Sequence, residues 1–248
     1  MPMPLKSLIE HVSPRTAAWL SERQQLNQVA RVAAQLTDRS QNQGPGEWVT
    51  FPELQKTGPF WSNQKRAEIL PLLEMLQERQ PQFLCEIGTY KGGTLFLFCQ
   101  AAAANARIVS IDIDYPERKK RPFRRFARRG QRLHCLEADS QNIETVTTVK
   151  QLLAGQPLDF LFIDGDHSYQ GVETDFELYS ALVRPGGLIA FHDIVPDHGR
   201  KYGIATPRNT GEVPTFWAEI KQQFKYWELV EDPEQDGYGI GVIEWQPR

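Results

Sequence analysis

The sequence predicts an α/β protein: a doubly wound, mostly parallel seven-stranded sheet with an antiparallel C-terminal hairpin and an N-terminal helical cap. Three observations carry this. From residue 83 onward, short apolar runs alternate with helix-length segments five times, the pattern of βαβ units. The last two strand-like runs, "YWELVED" and "YGIGVIEW", have only the turn-like "PEQDG" between them, so they should pair antiparallel. Ahead of residue 83 the readable segments are helical.

Taken in order, residues 15–36 favour helix, with Leu20, Leu26, Val29, Val32 and Ala33 at mixed three- and four-residue spacing. "DRSQNQGPGEW", 38–48, is a loop by composition. "NQKRAEILPLLEMLQER", 63–79, is a second helix with Pro71 as a kink point. Strands are expected at 83–88, 107–113, 132–138, 158–164 and 186–193, with helices at 92–104, 117–129, 142–154 and 169–183. A loop rich in glycine and proline then leads to a helix at 214–224 and the hairpin. The expected division is a helical cap segment over the ligand crevice, 1–60, and a ligand-binding domain, 61–248. There is no internal repeat.

At 248 residues the chain can bury a full core. No apolar run reaches the roughly 20 residues that span a bilayer, and "MPMPLKSLIEHVSPRTAAW" lacks the apolar segment of a signal peptide. A soluble, cytoplasmic protein is expected. Cys85, Cys99 and Cys135 sit in apolar contexts without paired spacing, which reads as buried thiols rather than a disulfide or zinc framework.

The net charge of −3 is unevenly spread: nine of the 28 basic residues lie in "ERKKRPFRRFARRGQR", 117–132. Phe123, Phe126 and Ala127 share one face there, and Arg121, Arg125, Arg128 and Arg132 another. That is an amphipathic surface helix, or a patch for an anionic substrate, partner or membrane surface. Net negative charge disfavours nucleic acid as a general partner.

The first strand runs into "EIGTYKGGT", 86–94. Glycines here let the backbone turn sharply and approach a ligand. The spacing Gly88, Gly92, Gly93 is not GxGxxG, so pyrophosphate binding is disfavoured. Glu86 at the strand end repels phosphate and suits an ammonium group. Asp112 ends the second strand 24 residues after Gly88, the distance at which an acid meets a ribose hydroxyl pair. Asp139 follows the third strand beside Ser140. Three such acids are more than strand-end caps require. Together they fit a nucleoside with a cationic amino-acid tail, which is S-adenosylmethionine.

At these motifs the chain resembles class I S-adenosylmethionine-dependent methyltransferases, which have a Rossmann-like fold. "EIGTYKGGT" looks like their first motif, "IDID" their second and "EADSQ" their third. The resemblance assigns Glu86, Gly88, Tyr90, Gly92, Thr94, Asp112, Asp139 and Ser140 to the cofactor. It is closer to metal-dependent O-methyltransferases of the catechol and caffeoyl-CoA type. It is closest to the bacterial branch labelled cephalosporin hydroxylase or macrocin-type methyltransferase, whose members carry "IDGDHSY" and "PGGLIAFHD".

The fourth and fifth strands are expected to be parallel neighbours, with ends about 5 Å apart. Asp164 and the His192–Asp193 pair then converge where open α/β sheets bind ligands. Such a set suits Mg²⁺, with the imidazole shifting preference toward Mn²⁺ or another transition metal. The resembling enzymes use Asp, Asp and Asn, so His192 departs from their pattern. His167 lies where their lysine deprotonates the substrate hydroxyl, and a histidine does this near neutral pH. Catalysis by Asp164 and His167 would then be in-line attack of a hydroxyl oxygen on the sulfonium methyl. Tyr169 reads as packing, and His11, His134 and His198 carry no usable pattern, though His198 lies in the glycine- and proline-rich loop and is a candidate to touch substrate.

The expected function is O-methylation of a small-molecule or glycan hydroxyl. "NPPY", common in base methyltransferases, is absent. A metal-dependent oxygenase or a non-catalytic ligand-binding member of the fold are the alternatives, and a homo-oligomer is left open. The acceptor is not encoded in these motifs, because substrate loops vary on a shared scaffold.

Overall fold

The computed structural model describes residues 14–247. Residues 1–13, with His11 and the start of the expected cap, and Arg248 lie outside the described residues. Five strands are parallel: β1 (Phe83–Ile87), β2 (Arg107–Asp112), β3 (Arg132–Glu137), β4 (Leu158–Ile163) and β5 (Val183–His192). Two are antiparallel, β6 (Lys225–Leu229) and β7 (Ile240–Glu244). The order is β3-β2-β1-β4-β5-β7-β6. The hairpin therefore inserts its second strand beside β5, with Ala190 opposite Val242 and Phe191 opposite Gly241. The crossover direction reverses between β1 and β4, which places a crevice at their C-terminal ends.

The central strands read as nearly continuous apolar runs because both their faces are covered. On one face Phe160 and Phe162 pack with Phe96, Phe98 and Phe126; on the other Phe191 packs with Phe176, Phe216 and Trp217. The covering helices are α1 (Pro14–Ser40), α2 (Pro45–Trp48), α3 (Arg66–Arg79), α4 (Gly93–Ala101), α5 (Glu117–Phe123), α6 (Ile143–Leu152), α7 (Tyr169–Ser180), α8 (His198–Tyr202) and α9 (Val213–Ile220). Pro71 lies inside α3 without ending it. Short helices α2 and α8 fall in segments expected to be loop. Among the described residues no helix is long and apolar enough to cross a membrane.

Two expectations change. The helix expected over 117–129 ends at Phe123, one residue after Pro122, which removes an amide donor from its last turn. Its apolar side still enters the core, with Phe123 stacked on Phe126 at 5.3 Å. The basic side chains are partly consumed locally: Lys119 pairs with Asp114 at 2.8 Å, Lys120 with Glu137 at 3.0 Å, and Arg121 bonds Asn27 at 2.6 Å. Among the described residues, the N-terminal segment packs away from the crevice. Ala33 and Leu36 of α1 join the Phe96–Phe126 core, Thr37 Oγ1 donates to Arg125 O at 2.9 Å, and Ser40 Oγ meets Gln100 at 2.8 Å. It braces the α4–α5 side. The three cysteines are free; Cys85 and Cys99 are buried, which pushes their thiols up and leaves them inert.

Candidate active site

The ends of β1, β2, β3 and β4 enclose a cavity of about 550 Å³, a size that suits a small organic ligand. Asp112, Asp114, Asp139, Asp164 and Asp166 line it, against one cation, Lys119. Its apolar wall includes Ile87, Ile111 and Ile113. Ile113 is 78% exposed, a large apolar side chain held open at the cavity mouth.

The turn after β1 needs its glycines. Gly88 has φ +83°, and a Cβ there would run into the Asp164 carbonyl. Tyr90 follows with φ +49°. This conformation aims successive amides at the end of β2: Asp112 Oδ2 accepts from Thr89 N at 2.9 Å and Tyr90 N at 2.7 Å. Its Oδ1 accepts from Asp114 N at 2.8 Å. A carboxylate offers about four acceptor sites, so these amides leave room for roughly one ligand hydroxyl rather than a pair.

Of the eight residues assigned to a cofactor by sequence, Gly88, Tyr90, Asp112, Asp139 and Ser140 line the cavity. Gly92 instead makes the left-handed N-cap of α4, against the Phe123 ring. Thr94 is buried and meets Ser62 Oγ at 3.1 Å. Glu86 is also buried behind the loop, where Thr89 Oγ1 and Ser110 Oγ each donate to Oε2 at 3.0 Å and Oε1 has no partner. Burial pushes its carboxyl up to about 8, against the two hydroxyl bonds. Glu86 is buried behind the loop and does not line the cavity, so this placement does not put its carboxyl against a ligand ammonium.

At the far end of the cavity Asp164 meets His192, the last residue of β5, and Asp193 just after it. His192 Nδ1 lies 3.1 Å from Asp164 Oδ1 and 3.5 Å from Asp193 Oδ2. His167 Nε2 lies 3.4 Å from the same Asp164 oxygen, and its Nδ1 lies 3.6 Å from Asp193 Oδ2. Two imidazoles and two carboxylates thus converge. Asp193 is held there at φ +60°, its Oδ1 accepting from Tyr238 N at 3.1 Å. Donor atoms of Asp164, His167 and Asp193 all lie within 4.8 Å of one another. The compact donor set thus takes in His167, which the sequence marked as a base, with the expected Asp164 and Asp193, and does not contain the expected His192, whose Nδ1 faces the same two carboxylates.

Electrostatics bind the cluster. Burial opposes ionisation of Asp164, but the charge of His192 and hydrogen bonds from both imidazoles bring it down to about 2. The bond to Asp164 lifts His167 to about 9. Burial works against a charged His192, yet Asp164 and Asp193 lift it to about 9 as well. Burial raises Asp193.

A second cavity of about 400 Å³ shares Gly165 and Asp166 with the first and is lined by His167, Asn209 and Gly211. Sequence reasoning noted this loop but missed Asn209, the exposed Ile113 and the place of Asp166, whose Oδ1 accepts from Ser168 N at 2.9 Å. A D-x-S pair ahead of a helix was the available signal for Asp166.

Residues 85–194 match the methyltransferase-domain family. That stretch is a little under half of the chain. Over 129 residues the chain is 33% identical to the uncharacterized protein R132 of Acanthamoeba polyphaga mimivirus, a match covering 50% of this chain and 57% of that relative. The chain thus spans little more than half that protein's length. Among solved structures, the chain superposes on an O-methyltransferase from Bacillus cereus in complex with SAH, with TM-score 0.55 and 17% identity. That match covers 88% of this chain and all of the other. It also superposes on the O-methyltransferase TomG from Streptomyces achromogenes in complex with SAM, with TM-score 0.53 and 18% identity, over 88% and 90% of the two chains. The chain thus shares its fold with these two O-methyltransferases.

Proposed function

We propose that the protein is an S-adenosylmethionine-dependent O-methyltransferase that acts on a hydroxyl of a small molecule or sugar with the help of a divalent cation. One observation carries the reading: an acidic, nucleoside-sized cavity opens at Asp164 directly onto a cluster of two carboxylates and two imidazoles.

The residues fit both groups. Five carboxylates against one lysine suit a ligand with a sulfonium and an ammonium charge. Ile111 and Ile113 suit an apolar base, and Asp112 keeps acceptor capacity for a ribose hydroxyl. Asp164, Asp193 and an imidazole make an oxygen–nitrogen set for Mg²⁺ or Mn²⁺. Bound S-adenosylmethionine supplies an electrophilic methyl group. A bound divalent cation supplies Lewis acidity that lowers a hydroxyl pKa.

The chain's own residues divide the remaining work. His192 is 3% exposed, so we assign it with Asp164 and Asp193 to the cation. His167 stands on the second cavity, where a hydroxyl can reach it. Asn209 O accepts from its Nδ1 at 2.9 Å. That bond fixes the tautomer and leaves Nε2 as proton acceptor once the ring is neutral.

One observation favours a second reading. Asp164 lies between two imidazoles, a donor set shared with non-haem iron oxygenases. Calorimetry separates the two. S-adenosylhomocysteine should bind the wild type saturably and at least about tenfold more weakly to Asp112→Ala, since charge-assisted bonds are worth about 1.5–3 kcal/mol. A wild type that does not bind it would overturn the methyltransferase reading. Excess chelator should abolish turnover and leave that binding intact; full activity under chelation removes the cation alone.

A further inference from the structure

We infer that Arg208 selects an acceptor carrying an oxyanion, carboxylate or phosphate, at the end remote from the methylated hydroxyl. The inference rests on the methyl-transfer reading and deepens it. A third cavity, of about 450 Å³, shares Asn209 and Gly211 with the one at His167. The three cavities therefore adjoin one another through shared lining residues, from the cofactor-sized cavity past His167 to the loop after β5.

Their charge reverses along the way. The first is lined by five aspartates. The third is lined by Arg200 and Arg208, with Asp197 as its acid. Two of these three charges are already spent. Arg200 pairs with Glu212 at 2.6 Å. Asp197 caps α8 through Arg200 N at 3.0 Å and accepts from Thr210 Oγ1 at 3.0 Å.

Arg208 is different. Its guanidinium lies over the Tyr238 ring, 4.1 Å from the centroid. No carboxylate among the described residues lies within ion-pair distance of it. The stacked plane is held in place while its edge donors stay available, the geometry in which arginine grips carboxylate or phosphate bidentately. Tyr238 in turn donates its amide to Asp193, and Asn209, next to Arg208, fixes His167. The anion grip and the reacting end are thus built from adjoining residues. The other cation near Tyr238, Lys65, is paired with Glu231 at 2.8 Å.

The test titrates the full chain with inorganic phosphate and, separately, with acetate. Saturable binding of at least one anion is expected. It should weaken at least about tenfold in Arg208→Gln, recover partly in Arg208→Lys, and stay unchanged in Arg118→Gln on the basic segment. Failure of both anions to saturate the wild type, or equal affinity in Arg208→Gln, overturns the inference. S-adenosylhomocysteine is titrated into the same proteins. If it binds wild type and Arg208→Gln alike while anion binding ignores Arg208, only this inference falls. If it does not bind the wild type, the methyl-transfer reading falls instead.

Discussion

At Asp164 one carboxylate oxygen faces two imidazoles, at 3.1 Å and 3.4 Å, and the direction of each pKa follows from that contact. Both histidines are lifted from 6.5 to about 9. Their contribution to the cation-free fold is therefore complete below 6.5 and drains away as pH rises through 9. Asp164 moves the other way, from 3.8 to about 2, so its contribution is complete above 3.8 and is lost as pH falls through 2. Asp193, raised by burial, opposes Asp164: its contribution is complete below 3.8 and is lost as pH rises through its raised value. Thermal melting of the metal-stripped protein should peak between about pH 4 and 6.5 and fall toward pH 9. A His167→Asn/His192→Asn double variant should flatten the alkaline limb; an unchanged limb would show that the imidazoles carry no charge there. The same geometry bears on catalysis. Once an acceptor is in hand, His167→Ala should lose about 10²–10⁴ in turnover with S-adenosylhomocysteine affinity unchanged. A loss of only a few-fold would return His167 to the cation.

The loop between β1 and α4 shows how an element makes a site from residues that look ordinary alone. Gly88 combines φ +83° with a backbone carbonyl where its Cβ would stand. Gly88→Ala should therefore cost about 1–3 kcal/mol or more and, by displacing the amides on Asp112, abolish S-adenosylhomocysteine binding. Gly155 is the control: it has φ +71° with open space around it, so Gly155→Ala should cost about 1 kcal/mol and leave binding alone. Melting curves and calorimetry on both variants check this; equal binding by the two would remove the loop from the site. The same loop explains what could be read in advance. "FLFIDGDH" and "LIAFHD" are two-sided apolar runs ending in acid and histidine, so strand type, adjacency and the convergence of Asp164 with His192 and Asp193 were legible, whereas the approach of the His167 ring to the same carboxylates was not. Glu86 was legible as a strand-end acid, but not the side it faces, because a two-sided strand gives no polar face to orient it. The partners of Asp112 depend on backbone angles at Gly88 and Tyr90, which residue identity alone leaves open. α1 announced a buried face but not its partner, and that partner is the α4–α5 side rather than the crevice.

Across the whole molecule, the candidate cavity is walled by the ends of four strands and their loops, and α1 takes no part in it. A ligand bound there ties β1, β2, β3 and β4 together at their C-terminal ends. It should stabilise the sheet as a unit while leaving the braced helical segment nearly unaffected. At a hundredfold excess over Kd, S-adenosylhomocysteine should add about 2.7 kcal/mol. For a chain of this size that is a rise of about 5–10 °C in melting temperature. Asp112→Ala, at the same ligand concentration, should show a far smaller rise. Hydrogen exchange locates the effect. Amides at Gly88–Tyr90, after β2 near Ile113, and at Asp164–Asp166 should gain protection, and those of α1 should not. Protection rising equally in α1 would mean that the helical segment closes over the ligand, restoring the cap that the sequence led us to expect. Protection confined to the loops after β5 would instead place the ligand in the His167–Arg208 spaces and vacate the cofactor assignment of the larger cavity.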